Sequence, residues 1–341
     1  MGAGATILRV HYPSAGTARI SVRGAGAGLD WMRGQDTTRG ADVFEWRGDA
    51  TAAFEWKPLL DDSTWAVGAN FRAAPGTTTD IWPFFHPGGG RVEEQRVPTP
   101  TFGGARDVLV YLPPGYDENS THRYPLLVMQ DGHNLFDPRR AAFGVEWQVD
   151  ETLDAGIGTS EVAEVIVLGP IPGDRMKEYT PSVDAQYGGG EAARYLTMLS
   201  GELLPWARTR YRVDEAAEVG VGGSSLGGLL TTYACWTRSE VFRRCLAMSS
   251  SYWWDDRRLL GEVERSTAMP PIHMWLDSGD AGSSMDGLQD TLHMRDVLLG
   301  RGYRQGVDLW SYTGVGQEHN EAAWSMRFPL AVRALYPGRA M

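Results

Sequence analysis

Along residues 6 to about 85, apolar and polar side chains alternate in short runs: Ile7-Leu8-Arg9-Val10-His11, Ala18-Arg19-Ile20-Ser21-Val22 and Ala53-Phe54-Glu55-Trp56-Lys57. Period-two alternation gives a strand one apolar face, and the Gly, Asp and Pro residues between the runs supply turns. The pattern predicts a small antiparallel β-sandwich. From Phe85 to Thr101 no apolar period survives, and Pro87-Gly88-Gly89-Gly90, Pro98 and Pro100 read as a linker or crossing loop. A boundary near residue 97 divides a first domain, 1–96, from a second, 97–341.

Past that boundary, apolar strands alternate with longer amphipathic segments. Strands are predicted at 107–111, 125–130, 163–168, 217–222, 244–248, 272–277 and 307–312, with helices near 145–155, 190–210, 226–237, 287–300 and 321–335. This is an α/β pattern: a mostly parallel sheet with helices on both faces, which gathers ligand chemistry at the carboxyl ends of its strands.

Composition narrows the partners. At 341 residues and 42% hydrophobic, the chain can fill one large α/β core and a small β one. A formal net charge of -11 would repel nucleic acid and anionic membrane, so a small molecule or a glycan is the expected partner. Met1 to Ile20 lack a basic start followed by an apolar stretch, and Pro13, Ser14 and Gly16 interrupt them, so no secretory leader is expected. No later run reaches the apolar length of a membrane span. Cys235 and Cys245 fall in a predicted helix and a predicted strand and are expected to be reduced packing thiols, which points to a cytoplasmic setting. Oligomeric state is left open.

The chemistry is carried by Gly223-Ser224-Ser225-Leu226-Gly227, a Gly-x-Ser-x-Gly turn between a predicted strand and a predicted helix. A strand that turns directly into a helix strains the serine backbone and holds its hydroxyl above the sheet, at a helix N-terminus that favours an oxyanion. Ser225 is therefore the expected nucleophile and fixes the fold class as an α/β-hydrolase. Ser224 is the weaker choice, since it is not midway between the glycines. The base follows the nucleophile and the acid in chain order, and His319, after the last strand and before the last helix, satisfies that order. Asp280 is the first-choice acid, being the first carboxylate clear of the strand end, with Asp277 and Asp286 as alternatives. The expected oxyanion donors are the backbone N–H groups of Leu226 and His133. No metal or cofactor is called for.

With those residues in place, the second domain resembles the putative esterase family that includes enterochelin esterases, esterase D and feruloyl esterases. The resemblance rests on Asp131-Gly132-His133-Asn134-Leu135-Phe136-Asp137, Glu178-Tyr179-Thr180-Pro181, Gly223-Ser224-Ser225-Leu226-Gly227-Gly228, Ser249-Ser250-Ser251-Tyr252-Trp253-Trp254 and His319-Asn320-Glu321-Ala322-Ala323-Trp324. It implies carboxylic ester hydrolysis, with Trp253 and Trp254 lining an aromatic cleft for a catechol-bearing or aryl ester. Family members often carry the acid three residues past the loop glycine, where this chain has Gly282. The first domain resembles immunoglobulin-like starch-binding modules through Val22-Arg23-Gly24, Gly28-Leu29-Asp30-Trp31 and Phe54-Glu55-Trp56-Lys57. That implies a glycan contact at Trp31, while the enterochelin branch implies a lid that shapes the active-site mouth. An acyltransferase using the same triad, or a glycan-binding protein with an inert hydrolase scaffold, are the other readings.

Overall fold

The computed structural model describes residues 5–13 and 18–339, so the break at Ser14 and Gly16 lies outside the described residues. The second half is built on an eight-stranded sheet. Its strands are β1 (Arg91–Thr99), β2 (Gly104–Leu112), β3 (Leu126–Met129), β4 (Ile166–Pro170), β5 (Val219–Ser224), β6 (Phe242–Met248), β7 (His273–Gly279) and β8 (Leu309–Gly314). They lie in the order β1-β2-β4-β3-β5-β6-β7-β8, with β2 antiparallel to both neighbours and the pairs from β4 onward parallel. Around the sheet run α1 (Val149–Thr159), α2 (Arg175–Tyr179), α3 (Ala192–Met198), α4 (Leu204–Arg210), α5 (Leu226–Thr237), α6 (Trp254–Arg265), α7 (Leu288–Gly300) and α8 (Glu321–Leu335).

Period two decides which helix each strand residue meets. Leu126 and Val128 join one buried cluster with Leu196, Leu229, Leu260 and Leu298, from α3, α5, α6 and α7. Leu127 and Met129 join the other, with Leu153 of α1 and Phe328 of α8. Each such side chain removed from water contributes about 1.5–3 kcal/mol, which makes the two layers the main source of stability.

Two expectations need correction here. The stretch taken for a linker contains β1, so a boundary at residue 97 falls inside a strand. β1 is an edge strand in which exposed Glu94 and Arg96 alternate with half-buried positions and Pro98 is tolerated, so the apolar period is weak. The cysteines are not free: Cys235 of α5 and Cys245 of β6 form a disulfide, with Cα atoms 6.3 Å apart. They are ten residues apart in sequence, and only the return of the chain from α5 into β6 brings the sulfurs together. The premise for a reducing compartment is thereby removed. No helix among the described residues is long and apolar enough to cross a membrane.

The first domain consists of a four-stranded and a five-stranded sheet enclosing Val10, Val22, Phe44 and Trp56. It is not wholly antiparallel, because Thr6–His11 pairs parallel with Thr78–Ile81. Glu118 accepts from the backbone N–H groups of Phe85 (2.8 Å) and His86 (3.1 Å), and Asn119 donates to the carbonyls of His11 (2.9 Å) and Pro83 (2.8 Å). Arg339 donates to Val67 O at 2.7 Å. Residues 118–119 precede β3 and Arg339 follows α8, so the sandwich docks at the amino ends of the parallel strands. That end lies opposite the one where a lid would have to sit.

Closing a loop of this length with a disulfide stabilises a fold by about 2–3 kcal/mol. The Cys235→Ala/Cys245→Ala variant should lose that amount in guanidinium unfolding, and reductant should weaken the wild type but not the variant. A wild type indifferent to reductant would show that the bond does not form in solution.

Candidate active site

β5 is buried along its length and runs straight into α5, with Ser225 at the junction. The serine has φ 58° and ψ -121°, a conformation that L-residues avoid and that persists only where the surroundings enforce it. The enforcement is visible: a Cβ on Gly223 would lie 3.0 Å from Gly227 C and from Gln130 Cβ. The Ser225 N–H donates to Met248 O (3.1 Å), and its carbonyl accepts from Ser251 N–H (3.0 Å). The Ser225 hydroxyl lies 3.3 Å from that of Ser251. Leu226 is the first helical residue, so its N–H has no acceptor within the helix.

His319 sits at the β8–α8 junction because Asn320 caps the helix, its side chain accepting from Ala323 N–H. Its ring meets Trp324 edge-on, with centroids 5.1 Å apart. Nδ1 lies 2.5 Å from Asp286 Oδ1, so an ionised Asp286 places the proton on Nδ1 and leaves Nε2 free to accept. Asp280, the first-choice acid, does not reach the imidazole; its carboxylate accepts from Gly316 N–H at 2.6 Å and ties two loops together. Asp277 is buried under the sheet end, accepting from Trp275 Nε1 (2.7 Å) and Arg327 Nε (3.0 Å). Being first past the strand end is a poor guide because the loop turns back, through left-handed Met285 and Asp286, before it reaches His319.

Asp286 is buried, which would raise its carboxyl, but hydrogen bonds from His319, the Gly279 N–H and Ser249 hold it below the usual carboxylate range. Burial pushes Asp277 up to about 6, against the pull of Arg327 and Trp275. Arg327 is wholly buried, with Nη2 on Ser249 Oγ (2.7 Å) and 3.4 Å from Asp286 Oδ2. The sequence carries a signal for it. Arg327 falls on the buried stripe Ala323, Trp324, Phe328, Ala331, where a charge has to be compensated.

Ser225 and His319 open onto two cavities. One, of about 230 Å³, is lined by Ser249, Ser250, Ser251, Trp253 and Asp286. The other, of about 310 Å³, is lined by Asp131, His133, Phe143, Arg175 and Trp324. His133 follows Gly132, where a Cβ would lie 1.9 Å from Gly169 O, so only glycine lets this turn pack on β4. Arg175 clamps the Asp131 carboxylate with Nε at 2.8 Å and Nη2 at 2.9 Å, an element that sequence reasoning missed. The two tryptophans part company. Trp253 is 46% exposed at the cavity, whereas Trp254 is buried behind it, donating to Ser182 O at 2.9 Å. Tyr187, also missed, meets Trp253 edge-on at 5.8 Å. A cleft of about 460 Å³ lies elsewhere, but its charges pair with one another, Arg106 with Glu178 and Arg96 with Asp107, and neither Ser225 nor His319 lines it.

A family model described as putative esterase matches residues 99–335, which include all the residues around Ser225. The chain belongs to the putative esterase family. Among curated proteins, this family member is 28% identical to the uncharacterized protein YbbA of Bacillus subtilis over 45% of the chain and 60% of YbbA. It is 26% identical to the siderophore triacetylfusarinine C esterase of Aspergillus fumigatus over 46% of the chain and 55% of that protein. The matches thus span 55 to 60% of these relatives' lengths. In fold it resembles the enterobactin esterase FES of Shigella flexneri, solved in the presence of enterobactin. That TM-score is 0.58 at 16% identity, with 93% of this chain and 87% of that one covered.

If Asp286 is the carboxylate that orients His319, Asp286→Asn should lower kcat by about 1,000- to 10,000-fold, with KM little changed. Asp280→Asn should stay within about twofold of wild type. Steady-state kinetics on both variants distinguishes them, and the reverse ranking would restore Asp280.

Proposed function

We propose that this putative esterase is a serine carboxylic ester hydrolase working through an acyl-enzyme. The observation that carries the reading is Ser225, on its strained turn, sharing both cavities with His319, whose Nδ1 is bonded to buried Asp286. The Ser225 hydroxyl turns from Ser251 to His319 Nε2 and loses its proton there as Oγ bonds to the ester carbonyl carbon. The oxyanion is met by the Leu226 and His133 N–H groups. On collapse the ester C–O bond breaks, and His319 returns the proton to the leaving alkoxide. A water that gives its proton to His319 then attacks the acyl-enzyme, releasing the acid and restoring Ser225.

The substrate class we propose is a siderophore-type or aryl, feruloyl-like ester. The exposed Trp253 beside Tyr187 supports an aromatic group in the smaller cavity, and a relative named as a siderophore esterase supports the same class. In the first domain Trp31 lies 6.1 Å from Trp65, which is 38% exposed, and the pair supports a sugar contact there. The Cys235–Cys245 disulfide favours work in an oxidising compartment over the cytoplasmic setting expected from free thiols.

Ser225→Ala should reduce hydrolysis of a short nitrophenyl ester by about 10,000-fold or more in a spectrophotometric assay. Equal turnover would sink the reading. Trp253→Ala and Tyr187→Ala should each raise KM for a feruloyl ester by about 2- to 10-fold while leaving an acetyl ester nearly unchanged. A matched loss on both substrates would place the aromatic group elsewhere.

A further inference from the structure

We propose that Arg327 is a positioning residue: with Trp324 it compels the Ser249 hydroxyl to donate to Asp286, and thereby fixes which oxygen of the acid is offered to His319. The inference rests on the reading of His319 as general base. A serine hydroxyl has one proton and two lone pairs. Trp324 Nε1–H donates to Ser249 Oγ at 2.9 Å and Arg327 Nη2–H at 2.7 Å, so both lone pairs are taken. The proton has one acceptor left, Asp286 Oδ2 at 2.5 Å. That oxygen also receives the Gly279 N–H and faces Arg327 Nη2, which leaves Oδ1 to the imidazole.

Arg327 is itself held by two further partners. Nε donates to Asp277 Oδ1 (3.0 Å), Nη1 to Gln317 Oε1 (2.7 Å), and Trp275 anchors the other oxygen of Asp277. Arg327, Asp277 and Asp286 have fully buried side chains, so the ion pairs among them are shielded from solvent. Ser249 keeps its place at φ 41°, a left-handed value with no turn glycine to ease it. Asp277, an alternative acid on sequence grounds, is in this arrangement the counter-ion that makes a buried guanidinium tenable.

Arg327→Met alone leaves Asp277 unpaired and is prone to misfold, so the test uses Arg327→Met/Asp277→Asn, which removes both charges together. Ser249→Ala and the triple variant complete the cycle. The double variant should melt within a few degrees of wild type, and its kcat on a nitrophenyl ester should fall by roughly 10- to 100-fold at unchanged KM. Ser249→Ala should lose a similar factor, and the triple variant little more, because both act on one hydrogen bond. The downfield proton NMR resonance of the His319 Nδ1–H should shift in all three. A folded double variant with wild-type kcat and an unmoved resonance, or losses that multiply in full, would overturn the proposal. If the wild type neither turns over esters nor is labelled by a phosphonate, the hydrolase reading has failed, and the resonance alone still decides whether the relay exists.

Discussion

A sheet covered by helices on both faces leaves polar side chains two places: the strand ends, or the interior in fully compensated groups. β2 to β7 are covered in this way, and the molecule uses both places. Ser225 stands at the carboxyl end of β5, with Asp131 and His133 past β3, Ser249 to Ser251 past β6, Asp286 past β7 and His319 past β8. Beneath them Arg327 and Asp277 form a buried charged group, joined to each other and to Asp286 through Ser249. Taking charge out of water is costly, and the cost is offset only if every polar atom finds a partner, which makes this group rigid.

The rigidity has a direction. The segment around α8 supplies His319 just before the helix, Trp324 in its first turn and Arg327 one turn later, so one stretch of chain brings the imidazole that meets Asp286 and two of the groups that hold the Ser249 hydroxyl. From β7 come Asp277 inside the strand and Asp286 beyond it. The Ser249 hydroxyl connects the two sets. Strain at Ser225, Ser249 and Asp286, each with positive φ, is concentrated in this small volume, and the buried hydrogen bonds and the packing under α5 hold it there.

The first domain is organised by a different constraint. Its docking contacts, through Glu118, Asn119 and Arg339, lie at the amino ends of the parallel strands, and both cavities beside Ser225 are lined by residues from 131 onward. It packs against the second domain at that end and leaves the lining of the two cavities to the loops that carry Phe143 and Trp253.

Short-range physics determined what the sequence could disclose. Alternation placed the strands within a few residues, helical period placed α5, α7 and α8, and the Gly-x-Ser-x-Gly turn located Ser225 because strand, turn and helix are contiguous. Chain order singled out His319, which lies at the β8–α8 junction against Asp286. Tertiary structure decided the rest. β1 was hidden because an exposed edge strand with charged side chains has little apolar period. The choice among Asp277, Asp280 and Asp286 depended on how a loop folds back, and the pairing of Cys235 with Cys245 on how α5 returns to the sheet. Arg327 left a trace, a charge on a buried stripe, but its partners Asp277, Ser249 and Asp286 are 41 to 78 residues away, beyond the range of any local pattern.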